Sequence, residues 1–309
     1  AGRHPFPLAA RADLFRPHAQ EAPLSGSDHE LRIVSYNIEK GKHLDDACRW
    51  LAEYGPDVVL WQEMQPGDLH QVGAQLGMHG YAAAVAGGSR NDNVVFVHDD
   101  GLLMVDAEYL HPWAPWHAPA NVTVRLRRPG GAVSPRALAL VSEHSCYYSA
   151  TIRQREADWY SSHAQPGRLV IVGGDWNSFP DGEGPSAEEW AAVADRAYFA
   201  NRTYETAPGV RVSDERPDRT LTTVGLVDTA RYARDKLGQS EATAPTAGYR
   251  RPDQGALRRI DRIYASGELA PAIVRASTID TPELRTVSDH LPVELVLDLE
   301  ALEQVLTGA

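Results

Sequence analysis

Eight residues whose side chains can bind a cation or move a proton stand at or beside the ends of apolar segments in this chain. They carry carboxylate, amide and imidazole groups: Asn37, Glu63, His144, Asp175, Asn177, Asp261, Asp289 and His290. Taken singly, each fits an ordinary structural role, such as a turn residue, a solvated strand end or a hydrogen-bonded histidine. Those roles do not explain why strand after strand supplies such a group, at its end or, for Asp261, within the strand, so we predict one shared site.

The donor types indicate what chemistry such a site can do. It offers oxygen and imidazole donors without a thiolate cluster, which suits Mg²⁺, Mn²⁺ or Ca²⁺ better than a structural zinc. Carboxylates and imidazoles beside a cation can orient a water molecule, neutralise phosphoryl oxygens and assist a leaving oxygen. Hydrolysis of a phosphoester by in-line attack of water needs these three kinds of help.

The segments that must position these groups have strand length and apolar composition. They are LRIVSY (31–36), DVVLWQ (57–62), NVVFV (93–97), ALALVSEH (137–144), LVIVGG (169–174), RIDRIY (259–264) and PVELVLDL (292–299). Because the carboxyl ends of strands in open α/β sheets converge on a ligand-binding crevice, we predict that the polar groups meet there.

Helical patterns lie between several of these strands. We predict helices over LDDACRWLAEYG (44–55), IRQREADWYSSHA (152–164) and SAEEWAAVADRAY (186–198), the last opening with a capping-box pair, Ser186 and Glu189. The order of strands and helices predicts an α/β protein with mixed sheets and no domain break. The polar stretch 178–218 is typical of surface insertions that select a substrate.

Composition sets outer limits on function. The chain has 309 residues, a formal net charge of -12 and two cysteines, which we predict to be free thiols. An acidic chain is not built to bind nucleic acid over its whole surface, although a local basic cleft is compatible with it.

No apolar run approaches the roughly 18 residues of a transmembrane helix. We expect a soluble monomer, either cytoplasmic or secreted after loss of a leader.

Taken together and in order, the motifs resemble the endonuclease/exonuclease/phosphatase superfamily, which includes deoxyribonuclease I. The matching strings are SYNI (35–38), WQEM (61–64), EH (143–144), Arg153-Gln154, GGDWN (173–177), GLVDT (225–229), RRIDRIYAS (258–266) and SDHLPV (288–293). The combination of GDxN with SDHxPV, preceded by the strand that ends in QE, is specific, whereas any one string alone is weak.

The resemblance implies a fold and a set of roles. The fold is a four-layer α/β/β/α sandwich of two mixed sheets, with residues 31–309 as a single catalytic domain and residues 1–30 as an extended arm. Glu63 would hold Mg²⁺, with Mn²⁺ or Ca²⁺ as alternatives, and Asn37 and Asp289 would complete the metal or phosphate contacts. The expected catalytic residues are His144, Asp175, Asn177, Asp261 and His290, with Asp175 acting on water and Asp261 pairing with His290.

Four further residues are expected to contact substrate: Arg90, Asn93, Arg153 and Trp176. Trp176 is expected chiefly to pack beneath the site, with stacking on a base as the alternative. The segment HPWAPWH (111–117) has three interpretations, which are a platform for a base, a wedge into a lipid interface and a packed strand connection.

Three substrate hypotheses remain open from the sequence. We favour a nuclease acting on DNA or RNA, supported by His144 and by two arginine groups, 125/127/128 and 258/259/262. The second is a phosphatase or phosphodiesterase acting on a small molecule or lipid headgroup, which the acidic balance would suit. The third is a non-catalytic binding module, disfavoured because every expected catalytic residue type is present.

Overall fold

The computed structural model of the protein describes residues 29–83, 92–114 and 116–308. Its strands are β1 (Glu30–Asn37), β2 (Val58–Met64), β3 (His79–Ala82), β4 (Asp92–Val97), β5 (Leu103–Tyr109), β6 (Ala120–Leu126), β7 (Leu138–His144), β8 (Leu169–Asp175), β9 (Thr203–Ala207), β10 (Val210–Ser213), β11 (Leu226–Asp228), β12 (Asp261–Ser266), β13 (Ile273–Thr278) and β14 (Val293–Asp298). Its α-helices are α1 (Leu44–Tyr54), α2 (Leu69–Leu76), α3 (Ala150–Tyr160), α4 (Ala187–Ala192), α5 (Arg196–Arg202), α6 (Arg216–Thr223), α7 (Thr229–Leu237), α8 (Leu284–Val287) and α9 (Leu299–Thr307). Of the expected arm, residues 1–28 lie outside the described residues.

Two six-stranded mixed sheets form the centre of the fold. The first has the order β13-β14-β1-β2-β4-β3 and the second the order β11-β12-β8-β7-β6-β5, while β9 and β10 pair separately. Each large sheet contains one parallel pair, β1 with β2 and β7 with β8, and its other neighbouring strands are antiparallel. The predicted mixed sheets are therefore confirmed.

The main hydrophobic core lies between the two sheets. Ile33 and Leu60 of the first sheet share it with Leu140 and Ile171 of the second. Successive residues of β1 point to opposite faces, so Ile33 faces this core and Val34 faces the helix side. Because the central strands are buried on both faces, their sequences are nearly continuous apolar runs.

Helices cover the outer face of each sheet. On the first sheet, Leu51 of α1 and Val72 of α2 pack in one cluster with Val59 and Trp61. On the second, Tyr160 of α3 and Leu221 of α6 pack with strand residues of β7 and β8. Helix, sheet, sheet and helix make the expected four-layer α/β/β/α sandwich.

One predicted helix is wrong in extent. The segment 186–198 forms two helices, α4 and α5, because the backbone leaves the helical region at Val193 (ψ 117) and the Asp195 carboxylate begins a new helix by accepting a hydrogen bond from the Tyr198 N–H (2.9 Å). The predicted capping box at Ser186 and Glu189 is present. The break turns the end of α5 toward the candidate site.

Two further sequence expectations can be compared with the fold. Cys48 and Cys146 are buried free thiols, as predicted. Among the described residues, no helix is long and apolar enough to cross a bilayer.

Candidate active site

The parallel strand pairs bring the predicted residues to one end of the sandwich. Asn37 and Glu63 lie at the carboxyl ends of β1 and β2, and His144 and Asp175 end β7 and β8. Strand β12 runs antiparallel to β8 with Asp261 opposite Asp175, so Asp261 opens its strand at that same end. Strand β14 runs antiparallel to β1, which places the residues just before it at the same end.

Two glycines allow the strands to approach each other closely beneath the site. A Cβ atom on Gly174 would collide with the Glu143 carbonyl oxygen, and one on Gly173 would lie 2.7 Å from Leu60 Cδ1 of the opposite sheet. Ser142 ties the sheets together there, since its hydroxyl donates to the Trp61 carbonyl (2.8 Å) and accepts from Gln62 Nε2 (3.0 Å). The Gly-Gly of GGDWN therefore sets the spacing of the carboxylates above it.

Asp175 is the central anion of the site. Its Oδ2 lies 3.5 Å from His144 Nε2, 3.7 Å from His290 Nε2 and 3.3 Å from the Asn37 amide nitrogen. Burial would raise the pKa of Asp175, but His290, His144 and Arg202 stabilise the anion and hold that pKa below its ordinary value. Asp175 is therefore a carboxylate at neutral pH, held within reach of two imidazoles.

His290 and Asp261 form a buried pair beside Asp175. His290 Nδ1 lies 3.0 and 2.9 Å from the two Asp261 oxygens. Burial favours the neutral form of each group, and it raises the pKa of Asp261. At His290 the carboxylates of Asp261 and Asp175 outweigh burial and raise the pKa well above its ordinary value. The pair therefore retains a proton tightly. We place this proton on His290, whose Nδ1 faces both carboxylate oxygens.

Glu63 reaches the site through an irregularity in β2. The register of β2 against β4 shifts between Trp61 and Met64, and Glu63 has a positive φ of 65°. Its Oε1 lies 3.3 Å from the Asn37 amide nitrogen and 3.9 Å from His144 Nε2. Asn37 thus donates toward both Glu63 and Asp175, while its own amide oxygen accepts from the Glu39 N–H (3.2 Å).

Asn177 and Arg202 form the neighbouring polar pair. Asn177 has a positive φ of 49°, its N–H donates to Asp175 Oδ1 (2.9 Å), and its amide nitrogen donates to the Ser145 carbonyl (2.9 Å). Arg202 donates through one terminal nitrogen to the Asn177 amide oxygen. Although Arg202 is only 8% exposed, its Nε has no hydrogen-bond partner among the described residues.

A cleft of about 840 Å³ opens over these groups. Its lining contains five cationic side chains, Lys40, Arg202, Arg250, Arg251 and Arg258, and four carboxylates, Glu63, Asp175, Asp195 and Asp289. The lining is therefore not acidic, whereas the whole chain carries a formal net charge of -12.

The structure brings together all eight residues first singled out by the sequence. Asp289 and His290 line the cleft with Glu63, His144, Asp175 and Asn177, while Asn37 and Asp261 lie buried against them. Asn37, expected to complete metal or phosphate contacts, directs its amide nitrogen toward the Glu63 and Asp175 carboxylates. Its role in this geometry is to position Glu63 and Asp175.

Three of the four further candidates do not line the cleft, and for Trp176 this agrees with the packed position that the sequence chiefly indicated. Asn93 is buried and donates to the Ala118 carbonyl (2.9 Å). Arg153 is fully buried in an ion pair with Asp214 (2.9 Å), and Trp176 is fully buried with its Nε1 donating to the Arg262 carbonyl (3.1 Å). All three support the fold. The fourth, Arg90, lies outside the described residues.

The arginine groups that favoured a nuclease are also largely occupied elsewhere. Arg259 and Arg262 are buried, and Arg125 and Arg128 pair with Asp106 and Glu303. Of the two groups, only Arg258 lines the cleft.

Among the described residues, one group of three has ligand atoms close enough together to hold a metal ion. Ligand atoms of Asp175, Asp261 and His290 all lie within 4.8 Å of one another. His290 must lose its proton to bind a cation, and its pKa is raised by the same two carboxylates, so this group is better suited to holding a proton. Glu63 and Asp289 also line the cleft, and they offer anionic oxygens outside this group of three residues.

Several cleft residues were not singled out from the sequence, and three of them contact the central groups or rings, although His117 belongs to the segment 111–117 for which a platform for a base was one interpretation. Arg202 was overlooked because the predicted helix stopped at residue 198. His117 lines the cleft and its ring stacks on His144, with ring centroids 4.6 Å apart and planes 10° apart. Tyr147 follows β7 by three residues in a loop whose course no local pattern indicates.

The four-layer sandwich with acid, imidazole and amide groups at one end defines a class of phosphoester hydrolases. A family model described as Endonuclease/Exonuclease/phosphatase family matches residues 34–290. The chain belongs to this family.

Solved structures show the same fold at low sequence identity. TDP2 of D. rerio, complexed with single strand DNA product, is 17% identical with a TM-score of 0.57, covering 87% of this chain and 99% of that one. The 3' phosphatase NExo from Neisseria, bound to product DNA hairpin, is 17% identical with a TM-score of 0.58 and the same coverage, 87% and 99%. An AP endonuclease from Archaeoglobus fulgidus is 17% identical with a TM-score of 0.56, again covering 87% and 99%. No curated protein sequence matches the chain.

Proposed function

We propose that this protein is a divalent-metal-dependent phosphodiesterase that cleaves nucleic acid by in-line attack of water. The observation that carries the proposal is the placement of one ionised carboxylate oxygen, Asp175 Oδ2, within 3.7 Å of two imidazole nitrogens in the cleft. A carboxylate can orient and deprotonate water, and imidazoles beside it can bind phosphate and supply a proton.

The remaining residues divide the reaction between them. Asp175 orients the attacking water. Asn177 and Arg202 bind non-bridging phosphoryl oxygens, since both line the cleft and the guanidinium is a cation. His290, kept protonated by Asp261, stabilises the charge that develops on the phosphoryl group. His144, whose Nε2 lies 3.5 Å from Asp175 Oδ2, protonates the leaving oxygen.

The proposed metal site comprises Glu63 and Asp289, with Asn37 positioning Glu63. The donor chemistry fits Mg²⁺, because hard carboxylate oxygens line the cleft there and the buried cysteines lie outside the lining. A bound cation would supply charge neutralisation for the phosphoryl oxygens and the leaving oxygen.

The charge of the cleft supports a polyanionic substrate. Its lining carries five cationic side chains against four carboxylates, in a chain whose formal net charge is -12. Three of the cations, Arg250, Arg251 and Arg258, also pair with Glu39, Asp253 and Glu189 beside the cleft. The lining therefore repels an anionic substrate less than the acidic chain as a whole would. Two of the similar structures were solved with DNA products, which supports the same choice.

A second candidate is a small phosphorylated molecule or a lipid headgroup. The volume of about 840 Å³ favours it, because binding sites of small molecules commonly measure about 300 to 1,000 Å³.

The test compares substrates and one pair of variants. Purified protein is assayed with single-stranded DNA, duplex DNA, RNA, p-nitrophenyl phosphate and inositol phosphates, in Mg²⁺ and in EDTA. We expect strand cleavage that EDTA abolishes, and a loss of about a thousandfold or more in kcat for Asp175→Asn. Asp181→Asn, an exposed aspartate in the loop after Asn177, is the matched control and should retain full activity. Turnover of monoesters with inert polymers would support the second candidate, and near-normal activity of Asp175→Asn would contradict the mechanism.

A further inference from the structure

A row of aromatic rings in contact with one another extends from the reactive centre. An arginine at the end of this row contacts the reactive centre again. His117 stacks on His144, Trp116 meets His117 edge to face (5.0 Å, 75°), and Tyr147 meets Trp116 in the same way (5.9 Å, 72°). Arg202 then donates to the Tyr147 carbonyl and to the Asn177 amide oxygen. We call Trp116, Tyr147 and Arg202 the aromatic wall, and all three line the cleft.

The wall is open to a ligand at Tyr147. The Tyr147 side chain is 52% exposed, and the Arg202 guanidinium beside it lies 5.3 Å from the centre of a second cleft-lining ring, that of Tyr198. A flat group entering the cleft next to the phosphoryl position would meet rings and a cation rather than aliphatic side chains.

Two buried donors in the wall lack partners. Trp116 Nε1 and Arg202 Nε are both inaccessible to solvent, and neither donates a hydrogen bond within the described residues. Because both atoms are closed to solvent, a ligand reaches these donors only if the side chains move, so the case for a ligand at the wall rests on the exposed Tyr147 ring and on the positive charge of Arg202. An acyl chain gains nothing from a cation, whereas a nucleotide carries an anionic phosphate and an aromatic base.

Resting on the proposed function, we propose that the aromatic wall binds the base of an unstacked nucleotide next to the scissile phosphate, with Tyr147 as the stacking ring. Stacking on an aromatic side chain requires a free base face, and the interior of a duplex does not offer one. The preferred substrate is therefore a single strand or a terminal, unpaired nucleotide.

The experiment uses two matched strands. One is a single-stranded oligonucleotide, and the other is the same strand with tetrahydrofuran abasic residues on both sides of the cleaved bond. For wild-type protein, we expect removal of the bases to lower kcat/KM by about 5- to 100-fold, mostly through KM, which corresponds to the usual strength of one stacked base. The fully base-paired duplex should be cleaved more slowly than the single strand.

Variants at Tyr147 and Trp113 show which ring is responsible for the difference between the two strands. Tyr147→Ala should lower kcat/KM on the base-bearing strand by a similar factor and change the abasic strand little, whereas Tyr147→Phe should retain wild-type discrimination. Trp113→Ala is the matched control, because Trp113 lies on the same loop as Trp116 but is 90% exposed and does not line the cleft. It should leave both strands unchanged.

The outcomes separate the two proposals. If strands are cleaved but wild type treats both alike, or Tyr147→Ala slows both equally, the wall proposal is overturned while the proposed function stands. If no strand is cleaved, the proposed function fails, and fluorescence anisotropy of the labelled base-bearing strand decides the wall proposal. Weaker binding by Tyr147→Ala than by Trp113→Ala would support the wall, and equal binding would overturn it.

Discussion

Replacing Asp261 by asparagine should move the alkaline limit of activity to lower pH. The substitution keeps the size of the side chain and removes the anion that lies 2.9 Å from His290 Nδ1. Asp261 makes the largest favourable contribution to the raised pKa of His290. Without it, the imidazole loses its proton at lower pH, and an asparagine amide facing Nδ1 can also hold the wrong tautomer.

The magnitude follows from the geometry of the pair. Two unit charges whose centres lie about 4 Å apart attract by about 4 kcal/mol at the effective dielectric constant of protein sites, equivalent to about three pKa units. Asp175 stays in place and continues to favour the cation. We therefore expect the pKa of His290 to fall by about one to three units, and kcat/KM to fall by about 10²- to 10⁴-fold at neutral pH.

The assay is the pH profile of kcat/KM for wild type and Asp261→Asn, with thermal unfolding measured over the same range. Because the folded pKa of His290 lies above its unfolded value, the pair stabilises the fold below the unfolded pKa of about 6.5, and this stabilisation is lost as pH rises through the folded pKa. The difference in Tm between the two proteins should thus be greatest near pH 6 and decrease toward alkaline pH. An alkaline limb that does not move would refute our assignment of the proton to His290.

Two further predictions concern residues whose roles the geometry separates. Glu63→Gln should raise the Mg²⁺ concentration for half-maximal rate at least about 10-fold, whereas Glu268→Gln, an exposed control, should leave it unchanged; identical titrations would remove Glu63 from the metal site. Arg153→Met should lower the free energy of unfolding in urea by about 3 kcal/mol, because it removes the two nitrogens that donate to Oδ2 of the buried Asp214 and leaves only Arg216 on Oδ1, while Arg49→Met at an exposed position should have little effect. A change below about 1 kcal/mol together with a higher KM would instead indicate that Arg153 contacts substrate.

The residues of the site could be predicted from the sequence because the ends of the central strands can be recognised in it. Apolar runs mark the central strands, and although one carboxylate, amide or imidazole at the end of such a run has an ordinary structural explanation, their recurrence on strand after strand does not. The carboxyl ends of each parallel pair must lie on the same edge of the sheet, so Asn37 with Glu63, and His144 with Asp175, were bound to be neighbours. That the two pairs face each other follows only from packing of the sheets.

Residue type did not reveal which polar and aromatic side chains are buried. Arg153, Asn93 and Trp176 have the chemistry of substrate contacts, but each is held inside by a specific hydrogen bond or ion pair between distant segments. Arg202 was missed for the opposite reason. Its position in the cleft depends on the interruption of the helix at Val193, which the continuous helical pattern of the sequence does not show.

Strands away from the site were harder to predict. β5 and β6 alternate apolar with polar residues, and β5 has an irregular register against β6 between Val105 and Ala107. β5 is an edge strand of its sheet and β6 lies beside it, and both lack the long apolar runs of the central strands.

The left-handed backbone conformation at Glu63 lowers the stability of the fold at a position whose carboxylate is a proposed metal ligand. A side chain with φ of 65° costs about 1 kcal/mol relative to glycine, which adopts this conformation without steric cost. Glycine at position 63 would relieve the backbone and remove the carboxylate, so Glu63→Gly should raise the free energy of unfolding by about 1 kcal/mol. Under the proposed function the same substitution removes a metal ligand, so backbone strain at this position is the cost of placing a carboxylate in the cleft.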